Sequence, residues 1–260
     1  MRLVTWNINS IRARTHLVED FVKQYDPDVI CLQETKAMDD QFPVKFIQAL
    51  GYEHMALHGM KSYHGVATLS KKPFQSTEII DWCNKGDARH IAVKLAEGPT
   101  LHNFYVPAGG DVADPEVNDK FAHKIQFLEE MTEWSRRLSE PSILVGDLNI
   151  APHEHDVWDT KKLKKVVSHT PLERDMMFEL MAAHDWVDVM RDFVPLDEKL
   201  YSWWSYRAKD WSAADKGRRL DHIWTSPSLK GKAKAMEMVR AARGWEKPSD
   251  HAPVLVDFDF

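Results

Sequence analysis

Four clusters of polar side chains stand at the ends of apolar segments that have the composition of buried strands. They are Trp6-Asn7-Ile8-Asn9, Leu32-Gln33-Glu34-Thr35, Gly146-Asp147-Leu148-Asn149 and Ser249-Asp250-His251. Taken singly, such residues most often close a turn or lie on the solvated surface. Together they offer amides, carboxylates and an imidazole at strand ends, where sites are usually built. We therefore interpret the four clusters as parts of one catalytic site.

This set of side chains meets the requirements of phosphodiester hydrolysis. A hard cation such as Mg²⁺ prefers oxygen ligands and keeps several waters, so one or two carboxylates suffice to hold it. Glu34 is the first candidate ligand, with Asn7 and Asp250 in or near the shell. Asp147 is a candidate acceptor that orients the attacking water, and Asn149 is a candidate donor to the phosphate.

The imidazole of His251 can donate to the charge that grows on the phosphoryl oxygens during hydrolysis. A neighbouring carboxylate would fix the tautomer of this ring and favour its protonated form. Asp221, in the segment Arg219-Leu220-Asp221-His222, is the candidate partner. Asp147, Asn149 and His251 are also candidates for the surroundings of the metal.

Hydrophobic spacing predicts the elements that must position these residues. Helices are predicted at 15–25, 42–50, 119–138 and 172–184, and strands at 2–8, 28–33, 52–57, 65–70, 77–82, 90–95, 101–106, 142–145, 220–225 and 253–258. Glu97-Gly98-Pro99-Thr100 is predicted to be a hairpin turn. Adjacent strands alternating with helices are typical of mixed sheets with helices packed outside. Since no repeat or linker marks a boundary, a single domain over 1–260 is expected.

Composition and charge restrict the setting of the protein. The chain has 260 residues and a formal net charge of −6, yet residues 161–243 hold 17 Lys and Arg against 12 Asp and Glu. Phosphate attraction depends on the local field, so this excess is compatible with a nucleic-acid partner. Cys31 and Cys83 have no metal-ligand spacing and cannot build a disulfide framework. No segment has the length of a signal peptide or a membrane span, so a cytoplasmic protein without a membrane partner is expected.

Longer motifs resemble the exodeoxyribonuclease III family of the endonuclease/exonuclease/phosphatase superfamily. They are Leu32-Gln33-Glu34-Thr35-Lys36, Gly146-Asp147-Leu148-Asn149-Ile150 and Lys247-Pro248-Ser249-Asp250-His251. Two further segments are similar to its DNA-repair branch, namely Tyr201-Ser202-Trp203-Trp204-Ser205-Tyr206-Arg207 and Gly217-Arg218-Arg219-Leu220-Asp221. The resemblance implies a DNase I-like, four-layered α/β sandwich in which two packed mixed β-sheets are flanked by helices.

The resemblance also implies Mg²⁺- or Mn²⁺-dependent hydrolysis by a monomer. The implied activities are AP endonuclease, 3′→5′ exonuclease and 3′-end unblocking on double-stranded DNA that carries abasic sites or 3′ ends. The matched residues of the reaction centre are Asn7 and Glu34 for the metal, Tyr105 beside the scissile phosphate, Asp147 and Asn149 for the water and the phosphate, and Asp221 with His251. The positions that usually face DNA are matched by Arg12, Arg89, Lys120, Trp203 and Arg207.

Two segments depart from the family pattern. After Pro107 the family often carries a polar residue that reaches the DNA, whereas Ala108-Gly109-Gly110 offers only backbone. Further along the chain, His169 and Thr170 replace a small residue and an aromatic in a segment that, by the resemblance, lines the pocket for the nucleotide 3′ of the cut. We hypothesise that His169 narrows this pocket and favours 3′-end processing over incision at an internal abasic site. In the alternative, His169 turns outward and changes nothing.

Two other interpretations remain open from the sequence. Another branch of the superfamily, such as a phosphoinositide phosphatase, a sphingomyelinase or a tyrosyl-DNA phosphodiesterase, shares the catalytic set but usually lacks a segment like 201–207. A non-catalytic DNA-binding relative should have lost at least one residue of that set. All five are present, namely Glu34, Asp147, Asn149, Asp221 and His251.

Overall fold

Two six-stranded sheets form the centre of the computed structural model, which describes residues 1–96 and 98–260. The first sheet contains, in spatial order and numbered along the chain, β13 (Ala233–Met238), β14 (Val254–Phe258), β1 (Arg2–Asn7), β2 (Val29–Gln33), β4 (Val66–Ser70) and β3 (His54–His58). The second contains β5 (Phe74–Glu78), β6 (His90–Leu95), β7 (Thr100–Tyr105), β8 (Ser142–Asp147), β12 (Asp221–Thr225) and β9 (Val187–Asp188). A short ribbon pairs β10 (Trp203–Trp204) with β11 (Gly217–Arg218). Because β1–β2 and β7–β8 are parallel and their other neighbours antiparallel, both sheets are mixed.

Successive residues of β1 enter different cores because side chains alternate across a strand. Leu3 packs in the core between the two sheets, with residues such as Val145 of β8. Val4 and Trp6 pack instead on the outer face, against Phe21. With both faces covered, the strand is buried from Leu3 to Asn7, including the polar side chains of Thr5 and Asn7.

Helices cover the outer face of each sheet. On the first sheet lie α1 (Thr15–Tyr25) and α2 (Val44–Ala49), and on the second lie α3 (Asp119–Arg137) and α5 (Pro171–Ala182). Three short helices, α4 (Thr160–Leu163), α6 (Val189–Phe193) and α7 (Trp211–Ala214), lie in the connections. The order helix, sheet, sheet, helix confirms the predicted four-layered α/β sandwich.

The strand predicted at 77–82 is wrong in its position. The strand lies at Phe74–Glu78, and Trp82 begins a short 3₁₀ turn in which Glu130 accepts a hydrogen bond from the Cys83 backbone N at 2.8 Å. This turn lets the Trp82 ring pack at 5.3 Å from that of Phe127, beneath α3. An apolar run alone does not distinguish a strand from a buried turn.

The predicted hairpin turn at 97–100 lies partly outside the described residues. On either side of it, β6 and β7 pair antiparallel, with Lys94 opposite Thr100. Among the described residues, none of the helices combines the length and the hydropathy needed to cross a membrane.

Two buried histidines give this fold a predicted sensitivity to acid. The rings of His90 on β6 and His102 on β7 stack with centroids 5.6 Å apart. Burial lowers the pKa of His102 to about 3 and that of His90 well below its ordinary value. The unfolded chain takes up protons below pH about 6.5, while the folded state stays neutral. This contribution to stability is therefore complete above that pH and is lost as the pH falls towards the folded pKa, by about 1 kcal/mol for each ring between pH 6.5 and 5.5.

Urea unfolding followed by circular dichroism between pH 7.5 and 5.5 measures this dependence. His102→Phe keeps an aromatic ring against Trp134 but removes one titrating group. We expect the free energy of unfolding of this variant to fall less between pH 6.5 and 5.5 than that of the wild type, by about the 1 kcal/mol that one histidine contributes. His16→Gln, a change of the same residue type at the partly exposed start of α1, serves as the control. An unchanged pH dependence in His102→Phe would contradict the assignment.

Candidate active site

The ends of five strands meet at one edge of the two sheets. Asn7 ends β1, Glu34 follows β2, Tyr105 ends β7, Asp147 ends β8, and Asp221 begins β12. Because β12 runs antiparallel to β8, its first residue lies directly opposite Asp147. The strand-end clusters predicted from the sequence are thus brought to one place.

The side chain of Asn7 joins the two sheets. Its Nδ2 donates to Glu34 Oε1 at 2.9 Å and to Asp147 Oδ2 at 2.8 Å. Its Oδ1 accepts from the backbone N of Asn9 at 3.1 Å. Since one fully buried amide holds both carboxylates, Glu34 of the first sheet and Asp147 of the second share one cleft.

Glu34 forms an ion pair inside this cleft. Its Oε2 lies 2.8 Å from Lys36 Nζ, which also donates to Asn9 Oδ1 at 2.6 Å. Burial alone would raise the pKa of Glu34, but the Lys36 ammonium and the Asn7 amide outweigh it and hold this pKa below its usual value. The sequence did not identify Lys36 as part of the cleft, although Lys36 directly follows Glu34-Thr35 and so could have been considered.

Asp147 is buried among other acids. Burial raises its pKa to about 7; Asp221 and Glu34 act in the same direction, whereas His251 and the Asn7 amide oppose them. Its Oδ1 accepts from the backbone N of Asn149 at 3.0 Å. A carboxylate with this pKa can accept a proton near neutral pH, as a general base must.

His251 and Asp221 form the predicted carboxylate–imidazole contact. His251 Nδ1 lies 2.8 Å from Asp221 Oδ2, and its Nε2 lies 3.6 Å from Asp147 Oδ2. Burial alone would lower the pKa of His251, but Asp221 and Asp147 outweigh it and raise the pKa to about 10. The ring is therefore an imidazolium at neutral pH, with Nε2–H available as a donor towards the cleft.

Two further residues frame the cleft. Asn149 adopts a left-handed backbone conformation, with φ of 54°, and its Nδ2 donates to the Val106 carbonyl at 2.9 Å. The phenol of Tyr105 has a pKa well above its ordinary value, because it is buried and faces the charges of Glu34 and Asp147. Tyr105 therefore keeps its proton and can act as a donor.

Asp250 lies beside the acidic cluster. Its Oδ1 accepts from Asn9 Nδ2 at 3.0 Å, and its Oδ2 accepts from Trp203 Nε1 at 2.9 Å. Asp250 is linked to Glu34 only indirectly, through Asn9 and Lys36, so it supports the cleft from outside the acidic cluster.

The predicted DNA-facing residues occupy different environments. Arg12, Lys120 and Arg207 are exposed. Trp203 is half-buried beneath the Arg218 guanidinium, which lies 5.3 Å from its ring centroid. Arg89 is almost completely buried and lies over the ring of Tyr105 at 5.1 Å, so it lines the interior of the cleft rather than its outer surface.

The structure places His169 inside the protein, which differs from the sequence-based expectation of a ring that lines a pocket. The side chain is 1% exposed; its Nδ1 lies 2.6 Å from the Ala151 carbonyl oxygen, and its Nε2 lies 2.7 Å from Thr160 Oγ1. Both ring nitrogens are therefore engaged within the chain. Any influence of His169 on a bound nucleotide must act through the shape of the segments it joins.

The residues of the cleft fit a hard divalent cation. The donor atoms are mainly carboxylate and amide oxygens, as such ions require. Carboxylate oxygens of Asp147 and Asp221 lie within 4.8 Å of each other, and buried Asp221 Oδ1 has no hydrogen-bond partner in the part of the chain that the structure describes. Three acids close together, one of them with a raised pKa, form a site in which a cation would relieve the repulsion.

The fold and this cleft define a class of protein. Residues 4–251 match the sequence profile of the Endonuclease/Exonuclease/phosphatase family, and the chain belongs to that family. The exodeoxyribonuclease III of Haemophilus influenzae is 32% identical to the chain over 99% of its length and the whole of the relative. This relative confirms the resemblance to exodeoxyribonuclease III.

The fold of the chain is also similar to those of solved structures of DNA-processing enzymes. An AP endonuclease from Archaeoglobus fulgidus is 31% identical, with a TM-score of 0.92 and full coverage of both chains. The 3′ phosphatase NExo from Neisseria, solved with a product DNA hairpin, is also 31% identical, with a TM-score of 0.91 and full coverage of both chains.

Proposed function

We propose that the protein is a divalent-metal-dependent DNA repair phosphodiesterase of the exodeoxyribonuclease III type. The observation that carries this proposal is the convergence of Glu34, Asp147 and His251 from both sheets on one cleft. The names of the relatives support DNA as the substrate, since they describe an exodeoxyribonuclease, an AP endonuclease and a 3′ phosphatase bound to DNA. The chain acts as one domain and as a monomer in this proposal.

Mg²⁺ or Mn²⁺ is the proposed cofactor. Glu34 and Asn7 would hold it, with Asp147, Asn149 and His251 close by and Asp250 as outer support. When bound, such a cation neutralises phosphate charge and favours ionisation of water. Lys36 now occupies one oxygen of Glu34, so its ammonium must give up this contact if that oxygen binds the cation.

Asp147 is the proposed acceptor for the proton of the attacking water. Its raised pKa suits this role, and the Asn7 amide and the backbone N of Asn149 hold its two oxygens in place. Asn149 would orient the phosphate from the same strand end. A base held in this way needs no reorganisation when the water reacts.

The imidazolium of His251 is the proposed donor to the phosphoryl oxygens. Asp221 keeps this ring charged and oriented, since it accepts from Nδ1 and leaves Nε2 free to face the cleft. The protonated phenol of Tyr105 would donate from the end of β7, the parallel neighbour of β8, supported by Arg89 against its ring. Preorganised donors of this kind stabilise the charge that develops in the transition state.

Duplex DNA would lie across the surface around this edge. Arg12, Lys120 and Arg207 supply exposed cations for phosphates, whereas Trp203 offers a ring for stacking on a sugar or a base. The proposed activities are 3′→5′ exonuclease, 3′-end unblocking and AP endonuclease.

We predict that the buried ring of His169 biases these activities towards 3′ ends. His169→Gly removes the contacts to Ala151 and Thr160 and relaxes the segment. Incision of an abasic duplex should then rise relative to 3′-phosphate removal by about 10-fold, which corresponds to about 1.4 kcal/mol. His169→Asn, which retains a polar side chain at this position, is the matched variant. Equal relative rates in wild type and His169→Gly would favour the alternative, in which His169 has no effect on substrate choice.

The function is tested with one duplex that carries an internal abasic analogue and a 3′-phosphate, and with an inositol phosphate as a separate substrate. We expect cleavage of the DNA with Mg²⁺ or Mn²⁺, complete loss of cleavage in EDTA, and recovery when the metal is restored. Hydrolysis of the inositol phosphate alone would indicate another branch of the family. DNA cleavage that persists in EDTA, or none with either metal, would overturn the proposal.

A further inference from the structure

A buried ion pair joins two helices at the end of strand β8. Lys124 on α3 and Glu173 on α5 have fully buried side chains, and Lys124 Nζ lies 2.5 Å from Glu173 Oε1. Removing two charges from water is costly, and their attraction offsets this only when further hydrogen bonds satisfy both groups. The further hydrogen bonds of Lys124 and Glu173 therefore show which backbone segments this ion pair fixes.

The ammonium of Lys124 holds the backbone of Asn149. Its Nζ donates to the Asn149 carbonyl oxygen at 2.9 Å and, more weakly, to that of Ala108 at 3.4 Å. Asn149 has φ of 54°, a left-handed conformation that asparagine adopts more readily than most other non-glycine residues. Lys124 thus holds the carbonyl of the turn that directs the Asn149 side chain.

The carboxylate of Glu173 holds the segment 168–170. It accepts from the backbone N of Ser168 at 2.8 and 2.9 Å, from that of Thr170 at 3.1 Å, and from Thr170 Oγ1 at 2.7 Å. Ser168 also has a left-handed backbone, with φ of 85°. The two residues that flank His169 are therefore fixed by this carboxylate.

A second set of contacts joins the same two segments. The backbone N of Ala151 donates to the Ser168 carbonyl oxygen at 2.8 Å, and the Ala151 carbonyl lies 2.6 Å from His169 Nδ1. The segments 149–151 and 168–170 are thus hydrogen-bonded to each other and to the buried ion pair.

We propose that Lys124 and Glu173 are positioning residues that jointly fix the backbone of two segments. One contains Asn149, which binds the phosphate, and the other is the segment 168–170, which selects the substrate. The inference rests on the proposed function, because it assigns both segments to DNA cleavage. Both side chains are fully buried and act only through the backbone they hold. In the competing explanation, the pair stabilises the fold and has no specific effect on the site.

The test compares Lys124→Met and Glu173→Gln with a control on the same helix. Leu128→Ala, one turn further along α3, removes an equally buried side chain that packs in the outer core instead. Since a single change leaves one buried charge without its partner, the double variant Lys124→Met/Glu173→Gln is included to remove both charges together. Rates are measured for 3′-phosphate removal and abasic incision, at a temperature where circular dichroism shows each variant to be folded.

We expect kcat of the charge variants to fall by about 10- to 100-fold with little change in KM, because small displacements of positioned groups have effects of this size. The ratio of the two activities should also change. Lys124→Arg, which keeps the charge, should recover part of kcat, and Leu128→Ala should keep the wild-type kcat and ratio per folded molecule. Wild-type kcat and ratio in the folded charge variants, as in Leu128→Ala, would overturn the proposal.

Backbone amide chemical shifts test the same inference without activity. We expect the Asn149, Ser168 and Thr170 signals to move in the double variant and to stay near their wild-type positions in Leu128→Ala. If the wild type cleaves no DNA, the proposed function fails, and these shifts still decide the positioning role. Unmoved signals in the double variant would reject that role whatever the activity.

Discussion

Asp147→Asn is expected to lower kcat on a DNA substrate by about 10³- to 10⁴-fold while DNA affinity stays near that of the wild type. The substitution preserves the size of the side chain but removes the group proposed to take the proton of the attacking water. The two donors that contact Asp147, the Asn7 amide and the Asn149 backbone N, reach different oxygens, so the single amide oxygen of the variant can still accept from one of them. The unchanged size of the side chain should preserve the packing of the strand end. The loss should therefore appear in the chemical step.

Single-turnover cleavage and fluorescence anisotropy separate these two effects. Cleavage is started with metal, whereas affinity is measured in EDTA, in which neither enzyme is expected to cut the probe. Asp175→Asn, the same change at an exposed position of α5, should behave as the wild type. A rate within about 10-fold of the wild type would remove Asp147 from the chemistry, since a positioned general base contributes at least about 10². Loss of folding together with binding would show a structural role.

Long periodic elements of this fold could be predicted from the sequence, whereas short ones could not. The helix predicted at 119–138 is observed at Asp119–Arg137, because its apolar residues recur at helical spacing over five turns. Helices of four or five residues, such as α4 and α6, and two-residue strands such as β9 contain too few residues for any period to show. Their positions follow from tertiary contacts.

The site was predictable to the extent that its side chains stand at strand ends. Asn7, Glu34 and Asp147 converge as expected, because polar residues directly after buried strands must emerge at a sheet edge. The alternation of strands and helices places those edges side by side, although it does not give the distances between them.

Charges inside the protein could not be predicted in the same way. Lys124 and Arg219 would ordinarily be expected at the surface, yet both are fully buried, because their partners come from distant parts of the chain. For Arg219 the partners are Asp156 and Asp188. Nothing in the local sequence of either residue identifies these acids. The buried orientation of His169 depends on Ala151 and Thr160 in the same way.

The pair formed by Asp221 and His251 should act as one functional group. His251→Gln removes the charged donor and is expected to lower kcat by about 10²- to 10³-fold, the usual loss for one transition-state donor. Asp221→Asn leaves the imidazole ring in place but removes the carboxylate that keeps the ring protonated and accepts from its Nδ1. A loss of kcat of similar size is therefore expected. Because both changes remove the same imidazolium, the double variant should be little slower than either single variant.

A double-mutant cycle on kcat measures this coupling. His54→Gln is a suitable control, because His54 lies at the far end of the first sheet from the cleft. It pairs with Ser70, and Ser70 pairs with Val29, the first residue of β2, whereas Glu34 follows the last residue of β2. DNA affinity in EDTA should change little in the single variants, and circular dichroism should show that each remains folded. Losses that multiply in the double variant would mean that the two residues act independently, because coupled residues deviate strongly from additivity. In that case Asp221 would need a role of its own, and contact with the cation is the leading candidate, since one of its carboxylate oxygens lies within 4.8 Å of a carboxylate oxygen of Asp147.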